Sequence, residues 1–232
     1  MMQKLITVLK DLSEEFNLEH YDWGIPSSCP IEIPELNDSN FEKNRYLKEN
    51  LKDFLLKQQS LDCYYWIIQQ WGGIGSFKQN DVNDARIKKF IIEMGQDKLT
   101  KNSFDCISSF SKVASFINPD DHAIYDSRVI YALNWLIFNY APEIELFYQP
   151  LGRSSELAKY DMQTIFRLSK KKYVYRGNKS AYQDYCKLMK ELSIEVYGKG
   201  SKPYLLEMLL FVIAPIKIVG EIEAKVSVAI NY

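Results

Sequence analysis

Two residues of opposite charge could do chemistry together in the stretch SSFSKVASFINPDDHAIYDSRVIYALNWLIF, residues 108–138. Lys112 stands at the start of one predicted helix, KVASFI, and Asp126 stands just before the next, SRVIYALNWLIF. The positive end of a helix dipole disfavours an ammonium, so it favours the neutral amine that acts as a nucleophile. A nearby carboxylate would stabilise positive charge that develops during the reaction. The alternative is that Lys112 is a surface cation and Asp126 only a helix cap.

The chain between these two residues is long enough to bring them together. KVASFIN would carry the chain roughly 10 Å at helical rise, and the segment from Pro119 to Tyr125 can return about 23 Å when extended. Ser108, Ser109 or Ser111 is expected to cap the first helix, and Asp126 the second. The two helix starts can therefore lie side by side, with the amine and the carboxylate in one cleft.

Helical periodicity dominates the rest of the chain. QKLITVLKDLSEEF spaces its leucines three and four residues apart, and most of the later apolar segments follow the same pattern. Residues 20–38 and 139–154 carry prolines and glycines and are predicted loops. We therefore predict an all-α protein of roughly eight to ten helices, with residues 1–232 as a single domain. The last residues of the chain are β-prone.

A basic segment lies in the C-terminal third. RLSKKKYVYRGNK contains Arg167, Lys170, Lys171, Lys172, Arg176 and Lys179, no acidic residue, and two interleaved tyrosines. Such a combination suits contact with a phosphate backbone and stackable bases. The alternative is a solvated loop between two helices.

Composition excludes several other classes of protein. The chain has 29 Lys and Arg against 30 Asp and Glu, so a basic surface would have to be local. Its four cysteines are scattered without a CxxC pair, which argues against a zinc site, an iron–sulfur cluster or a disulfide framework. The two histidines lie apart, and WGGIGSF lacks the glycine spacing of a nucleotide site. We expect no metal, no cofactor and no membrane span, and a cytoplasmic location.

The stretch SSFSKVASFINPDDHAIYDSRV resembles the helix-hairpin-helix DNA glycosylases, most closely their prokaryotic 8-oxoguanine DNA glycosylase (OGG)-like branch. WIIQQWGG upstream and YQDYCKLM and LEMLLFVIAP downstream extend the resemblance. It implies two helical lobes with a cleft between them, Lys112 as a Schiff-base nucleophile and Asp126 as its partner carboxylate. It also implies excision of a damaged or modified base, favouring a purine, with β-lyase activity at the abasic site, in repair or in defence against foreign DNA.

The resemblance also assigns binding residues. Glu207 and Phe211, four residues apart on one helical face, would read and stack the flipped base, together with Gln69 and Trp71 of WIIQQWGG. The alternative for Phe211, which lies within the most apolar run of the chain, is a position in the core. Seven residues are expected to bind the DNA backbone: Ser108, Ser109, Ser111, Lys170, Lys171, Lys172 and Arg176. The expected partner is double-stranded DNA bound by a monomer associated with the nucleoid. Two other readings remain: a DNA-binding or interaction protein that keeps the fold without the chemistry, and an all-α accessory protein that never meets DNA.

Overall fold

The computed structural model describes residues 2–35, 39–58, 60–96, 98–152 and 154–227. Over these ranges the protein is helical, and extended pairing is limited to one bridge between Leu146 and Tyr175. The prediction of an all-α class is confirmed. The α-helices of the described chain are α1 (Met2–Glu15), α2 (Asn40–Gln58), α3 (Leu61–Tyr65), α4 (Asp81–Met94), α5 (Lys101–Phe104), α6 (Ile107–Ile117), α7 (Ser127–Tyr140), α8 (Ser155–Ala158), α9 (Met162–Leu168), α10 (Ala181–Tyr197), α11 (Pro203–Ile213) and α12 (Val219–Lys225).

The helices are shorter and more numerous than predicted because polar caps divide the apolar segments. Ser60 accepts a hydrogen bond from the Asp62 N–H and so starts α3 afresh after α2. Asp161 accepts from the Thr164 N–H and starts α9 afresh after α8. Two helices pass into wider π-helical turns, at Trp66–Trp71 and Ala214–Ile218.

The core is built around α6, α7, α10 and α11. Residues 129–138 of α7 are all buried, so this helix is enclosed on every side rather than amphipathic. Helix α11 packs against both α7 and α10, while α6 packs against α2. The Tyr125 N–H, just before α7, donates to Ser111 Oγ of α6, and the Ile124 N–H donates to Glu207 of α11, so α6, α11 and the segment before α7 meet.

Several expected absences can be compared with the described ranges. Every helix there is too short or too polar to span a bilayer. No group of three or more His, Cys, Asp or Glu side chains in the same ranges is arranged to hold a metal ion. All four cysteines are free thiols. The β-prone end of the chain, residues 228–232, lies outside the described residues.

Candidate active site

One cleft of about 740 Å³ contains both Lys112 and Asp126. Its lining comes from four parts of the chain: the glycine-rich turn after the Trp66–Trp71 segment, the α5–α6 region, the start of α7, and the irregular segment over 148–152. Its described lining also includes Trp23, Arg128 and Phe211. The sequence-based expectation that the amine and the carboxylate reach one cleft agrees with this placement.

Lys112 does not lie where the sequence suggested. Helix α6 begins at Ile107, with Cys106 at the N-cap position, so Lys112 is in its second turn. The helix dipole acts mainly within the first turn, and it therefore gives no explanation for a reactive amine here. Instead, the Lys112 side chain is 7% exposed and its Nζ donates a hydrogen bond of 2.8 Å to the Ser108 carbonyl.

Gly72 leaves the space that the Lys112 side chain occupies. A Cβ at this position would lie 2.5 Å from Lys112 Cδ and 2.8 Å from the carbonyl oxygens of Ile67 and Ile68. Gly72 also donates its N–H to the Ile67 carbonyl, which closes the π-helical turn. The close approach of backbone to lysine therefore requires glycine here.

Asp126 is the N-cap of α7, as predicted. Its Oδ1 accepts a 2.9 Å hydrogen bond from the Val129 N–H, and its side chain is half-buried at the cleft. The segment before it is fixed by buried tyrosines of α10, because Tyr182 donates to the Ala123 carbonyl and Tyr185 to the Ile124 carbonyl. These contacts hold the position from which the carboxylate enters the cleft.

Ser111 links the two site residues instead of facing a ligand. It is fully buried, and its Oγ accepts a 2.9 Å hydrogen bond from the Tyr125 N–H. Its assignment to DNA binding is therefore wrong, because no part of it reaches the surface. Ser108 and Ser109 do line the cleft. None of the three serines caps α6.

Glu207 lies in the protein interior behind the cleft. It is 3% exposed, its Oε1 is 3.6 Å from Lys48 Nζ, and its Oε2 accepts a 2.7 Å hydrogen bond from the Ile124 N–H. Burial raises the pKa of the Glu207 carboxyl, and the Lys48 ammonium opposes that shift. The charge of Asp126 raises this pKa further, and that of Lys112 lowers it. A carboxylate so engaged does not read a base, which corrects that expectation.

Two further members of the expected base pocket also lie outside the cleft lining. Gln69 donates through Nε2 to the Phe77 carbonyl at 2.7 Å, which holds the glycine-rich turn. Trp71 is buried, donates to Asn44 Oδ1, and packs its ring edge-on to Phe116 at 4.8 Å. Both residues support the wall of the cleft from behind.

Phe211 does line the cleft, and it lies among two other aromatic rings and a guanidinium group. Its half-buried ring lies 5.5 Å from the Trp23 ring and 5.6 Å from the Tyr21 ring, while the Arg128 guanidinium lies 4.6 Å above it. Burial raises the pKa of Tyr21, and the nearby charges of Glu207 and Asp126 add to that effect. One end of the cleft is therefore aromatic and carries a cation.

The cleft rim is formed by residues 148–152. Tyr148 stacks on Tyr175 at 4.7 Å, and its carbonyl accepts a hydrogen bond from the Tyr125 hydroxyl. Gly152 packs so closely on Ser127 that a Cβ there would lie 2.3 Å from Ser127 Oγ. Between these two anchors, Leu151 is fully exposed to solvent.

The predicted basic segment lies away from the lining of this cleft. Lys170, Lys171 and Lys172 are exposed, and Lys171 Nζ lies 3.3 Å from the Phe138 carbonyl at the end of α7. Arg176 forms a 2.8 Å ion pair with Asp184 and lies over the Phe147 ring, so its charge serves the fold. Lys170 and Lys172 remain available as a surface that a longer ligand can reach.

Another nucleophile in the cleft is less suited to reaction. Cys106 lines it, but burial raises the pKa of the Cys106 thiol, which lowers the thiolate fraction. Lys112 is thus the stronger nucleophile candidate among the described residues that line the cleft.

Sequence reasoning missed the glycine turn, Trp23, Arg128 and the 148–152 segment as parts of the site. Trp23 sits in a proline-rich loop, where no periodicity indicates which side chains face inward. The WGGIGSF turn was detectable as a turn, but the close approach of Lys112 to Gly72 was not. When the chain was compared with protein-family models, with curated proteins and with solved structures, nothing matched in any of the three comparisons.

Proposed function

We propose that the chain is a DNA glycosylase with lyase activity that removes a damaged or modified base through a Schiff base on Lys112. The observation that carries the proposal is the meeting of Lys112 and Asp126 in one cleft that also has an aromatic wall. An amine nucleophile, a carboxylate to offset positive charge and a flat apolar surface for a base are the parts that this chemistry needs.

The reaction begins with the neutral Lys112 amine attacking C1′ of the target nucleotide. A C1′–N bond forms to Nζ, and the glycosidic bond breaks with its electron pair leaving on the base, which takes up a proton. The C1′–O4′ bond then breaks with its electron pair on O4′, which takes up the proton that the nitrogen loses, and the nitrogen lone pair forms the C1′=N bond of the protonated imine. Loss of the C2′ proton then expels the 3′ phosphate. The Asp126 carboxylate stabilises positive charge on the sugar and on the imine nitrogen.

A base enters such a site only after it leaves the duplex stack. The cleft is large enough for a nucleoside, and Phe211 with Trp23 offers a face for stacking. Leu151 at the rim suits the gap left in the duplex, because an exposed apolar side chain on an anchored segment can enter between bases. The exposed lysines at 170–172 would hold the phosphate backbone beyond the cleft.

Borohydride trapping tests the proposal. Duplexes that carry an abasic site or 8-oxoguanine, with an intact duplex beside them, are incubated with protein and sodium borohydride, which reduces the imine to a stable amine. We expect a covalent adduct with the abasic duplex and with a duplex whose base is excised. Lys112→Gln should abolish the adduct, while Lys4→Gln, at an exposed lysine of α1, should keep it.

Thermal melting shows whether the Lys112→Gln chain is folded. A folded Lys112→Gln variant that traps at the parent rate would exclude Lys112 as the nucleophile. A parent protein that binds these duplexes and never traps would instead favour the non-catalytic DNA-binding protein.

A further inference from the structure

The least expected feature beneath the cleft is a buried lysine. Lys48 of α2 is 0% exposed, and its Nζ lies 5.1 Å from the centre of the Phe116 ring, 5.6 Å from that of Trp71 and 5.8 Å from that of Tyr204. Its opposite charge is Glu207 of α11, at 3.6 Å. An ammonium inside a cage of aromatic rings with one buried carboxylate is a costly arrangement, since both charges have lost water.

The pair is connected by hydrogen bonds to both halves of the candidate site. On one side, Lys48 Nζ donates to Ser115 Oγ at 3.2 Å, and Ser115 in turn donates to the Lys112 carbonyl at 2.9 Å. On the other side, Glu207 accepts from the Ile124 N–H at 2.7 Å, two residues before Asp126. The ion pair therefore bridges the backbone of Lys112 and the backbone that leads to Asp126.

The charges of Lys48, Glu207 and Lys112 also act on one another. Burial lowers the pKa of Lys48, Glu207 opposes this shift, and the charge of Lys112 lowers it further. Repulsion between two ammonium groups is mutual, so Lys48 also disfavours the charged form of Lys112. A buried ion pair adds little stability compared with well-packed apolar side chains, so stability alone does not account for it.

We propose that Lys48 and Glu207 are positioning residues for the site: they set Lys112 and Asp126 relative to one another, and Lys48 offsets the attraction between the Glu207 carboxylate and the Lys112 ammonium. Without Lys48, the Glu207 carboxylate would attract the Lys112 ammonium, and the repulsion from Lys48 would also be gone. Both changes favour the ammonium. The effect on catalysis rests on the proposed function, whereas the effect on the amine does not.

Lys48 and Glu207 are the charges that the variants change, and the other charged groups near Lys112 are present in every variant. The charged and titratable groups that share its surroundings are Lys48 from α2, Glu207 from α11, Asp126 and Arg128 from the start of α7, and Asp105 and Cys106 from the turn before α6.

The amine can be followed without DNA. The protein is treated briefly with formaldehyde and cyanoborohydride over a range of pH, and methylation of Lys112 is measured by peptide mass spectrometry. Lys48→Met should move the midpoint of Lys112 labelling upward by about one pH unit, which is a tenfold fall in neutral amine at a fixed lower pH. Lys48→Met combined with Glu207→Gln should return the midpoint close to that of the parent. Lys217→Met, which removes an exposed ion pair with Glu15, should leave it unchanged.

An unchanged midpoint in folded Lys48→Met would overturn the proposal, whether or not the chain is a glycosylase. If that variant does not fold, Lys48→Met with Glu207→Met decides the question, because it leaves no buried charge unpaired. This double variant should keep its melting temperature and its affinity for DNA, yet trap abasic DNA at least tenfold more slowly than the parent. Trapping by this double variant at the parent rate would refute the positioning role. If the parent never traps abasic DNA but Lys48→Met still shifts the midpoint of Lys112 labelling, only the proposed glycosylase activity is refuted.

Discussion

Asp126 has two roles in this interpretation, and substitution can separate them. As the N-cap of α7 it accepts a 2.9 Å hydrogen bond from the Val129 N–H. As a catalytic carboxylate it supplies negative charge in the cleft. Asn is as good an N-cap residue as Asp and has no charge, so Asp126→Asn should keep the helix and lose the chemistry.

The two magnitudes differ enough to be measured apart. Asp126→Ala loses the cap and should cost about 1 kcal/mol of stability, a fall in melting temperature of about 2–4 °C for a chain of this size. Asp126→Asn should melt within about 1 °C of the parent, since the cap bond is kept. Both variants should slow adduct formation about a hundredfold, or roughly 2.7 kcal/mol, as expected for one lost preorganised electrostatic group.

The assay is single-turnover trapping on an abasic duplex, combined with thermal melting of each variant. Asp161 provides a matched control, because it caps α9 through the same type of hydrogen bond, at 2.8 Å to the Thr164 N–H, away from the cleft lining. Asp161→Asn should change neither trapping nor melting. Asp126→Asn with the parent trapping rate would refute the catalytic role and leave Asp126 as a cap alone.

Three further variants probe DNA contact. Lys170→Glu combined with Lys172→Glu leaves Lys171, which contacts the end of α7, in place. The slope of log affinity against log salt concentration should become shallower by up to about 1.8, equally for intact and damaged duplexes. An unchanged slope would mean that the DNA backbone binds elsewhere on the protein. Phe211→Ala should weaken binding to damaged duplex by about 1–3 kcal/mol in filter or fluorescence titrations. It should destabilise the fold by less than the roughly 3–5 kcal/mol expected for a fully buried phenylalanine. Destabilisation of that full size, without a selective loss of binding to damaged duplex, would make Phe211 a core residue. Leu151→Ala should reduce the fluorescence rise of 2-aminopurine on base flipping, whereas Leu168→Ala, at another exposed leucine, should not; equal effects would exclude a wedge.

The fold class followed from local patterns because helices are encoded by periodicity and caps. Asp126 was predicted as a cap from its place before an apolar segment and caps α7; Asn80 and Ser60 stand in similar places and cap α4 and α3. The start of α6 was misplaced because its first five residues include three serines, which normally favour caps over helix interiors. One of them, Ser111, instead bonds a backbone N–H from a neighbouring segment, a contact that local sequence does not encode.

The site was only half predictable for the same reason. Lys112 and Asp126 are close in sequence, so chain length alone allowed their meeting to be argued. The resemblance placed Glu207 in the base pocket with Phe211, which shares its helical face, but four residues along a helix also span the boundary between cleft and interior. Its partner Lys48 comes from a distant helix, and nothing in the sequence indicates that a lysine of α2 is buried. Long-range charge pairing is a property of the packed structure.

Two opposite charges, Asp126 and Arg128, lie at the N-terminus of α7. The helix dipole favours the Asp126 carboxylate there and disfavours Arg128 in the first turn. The Arg128 guanidinium is instead held over the Phe211 ring at 4.6 Å, where cation–π attraction offsets the unfavourable dipole. The aromatic wall therefore supports the cation as well as offering a surface for a base. A base that stacked on this face would compete with Arg128 for the ring, and the displaced guanidinium would then be free to meet the phosphate of the same nucleotide.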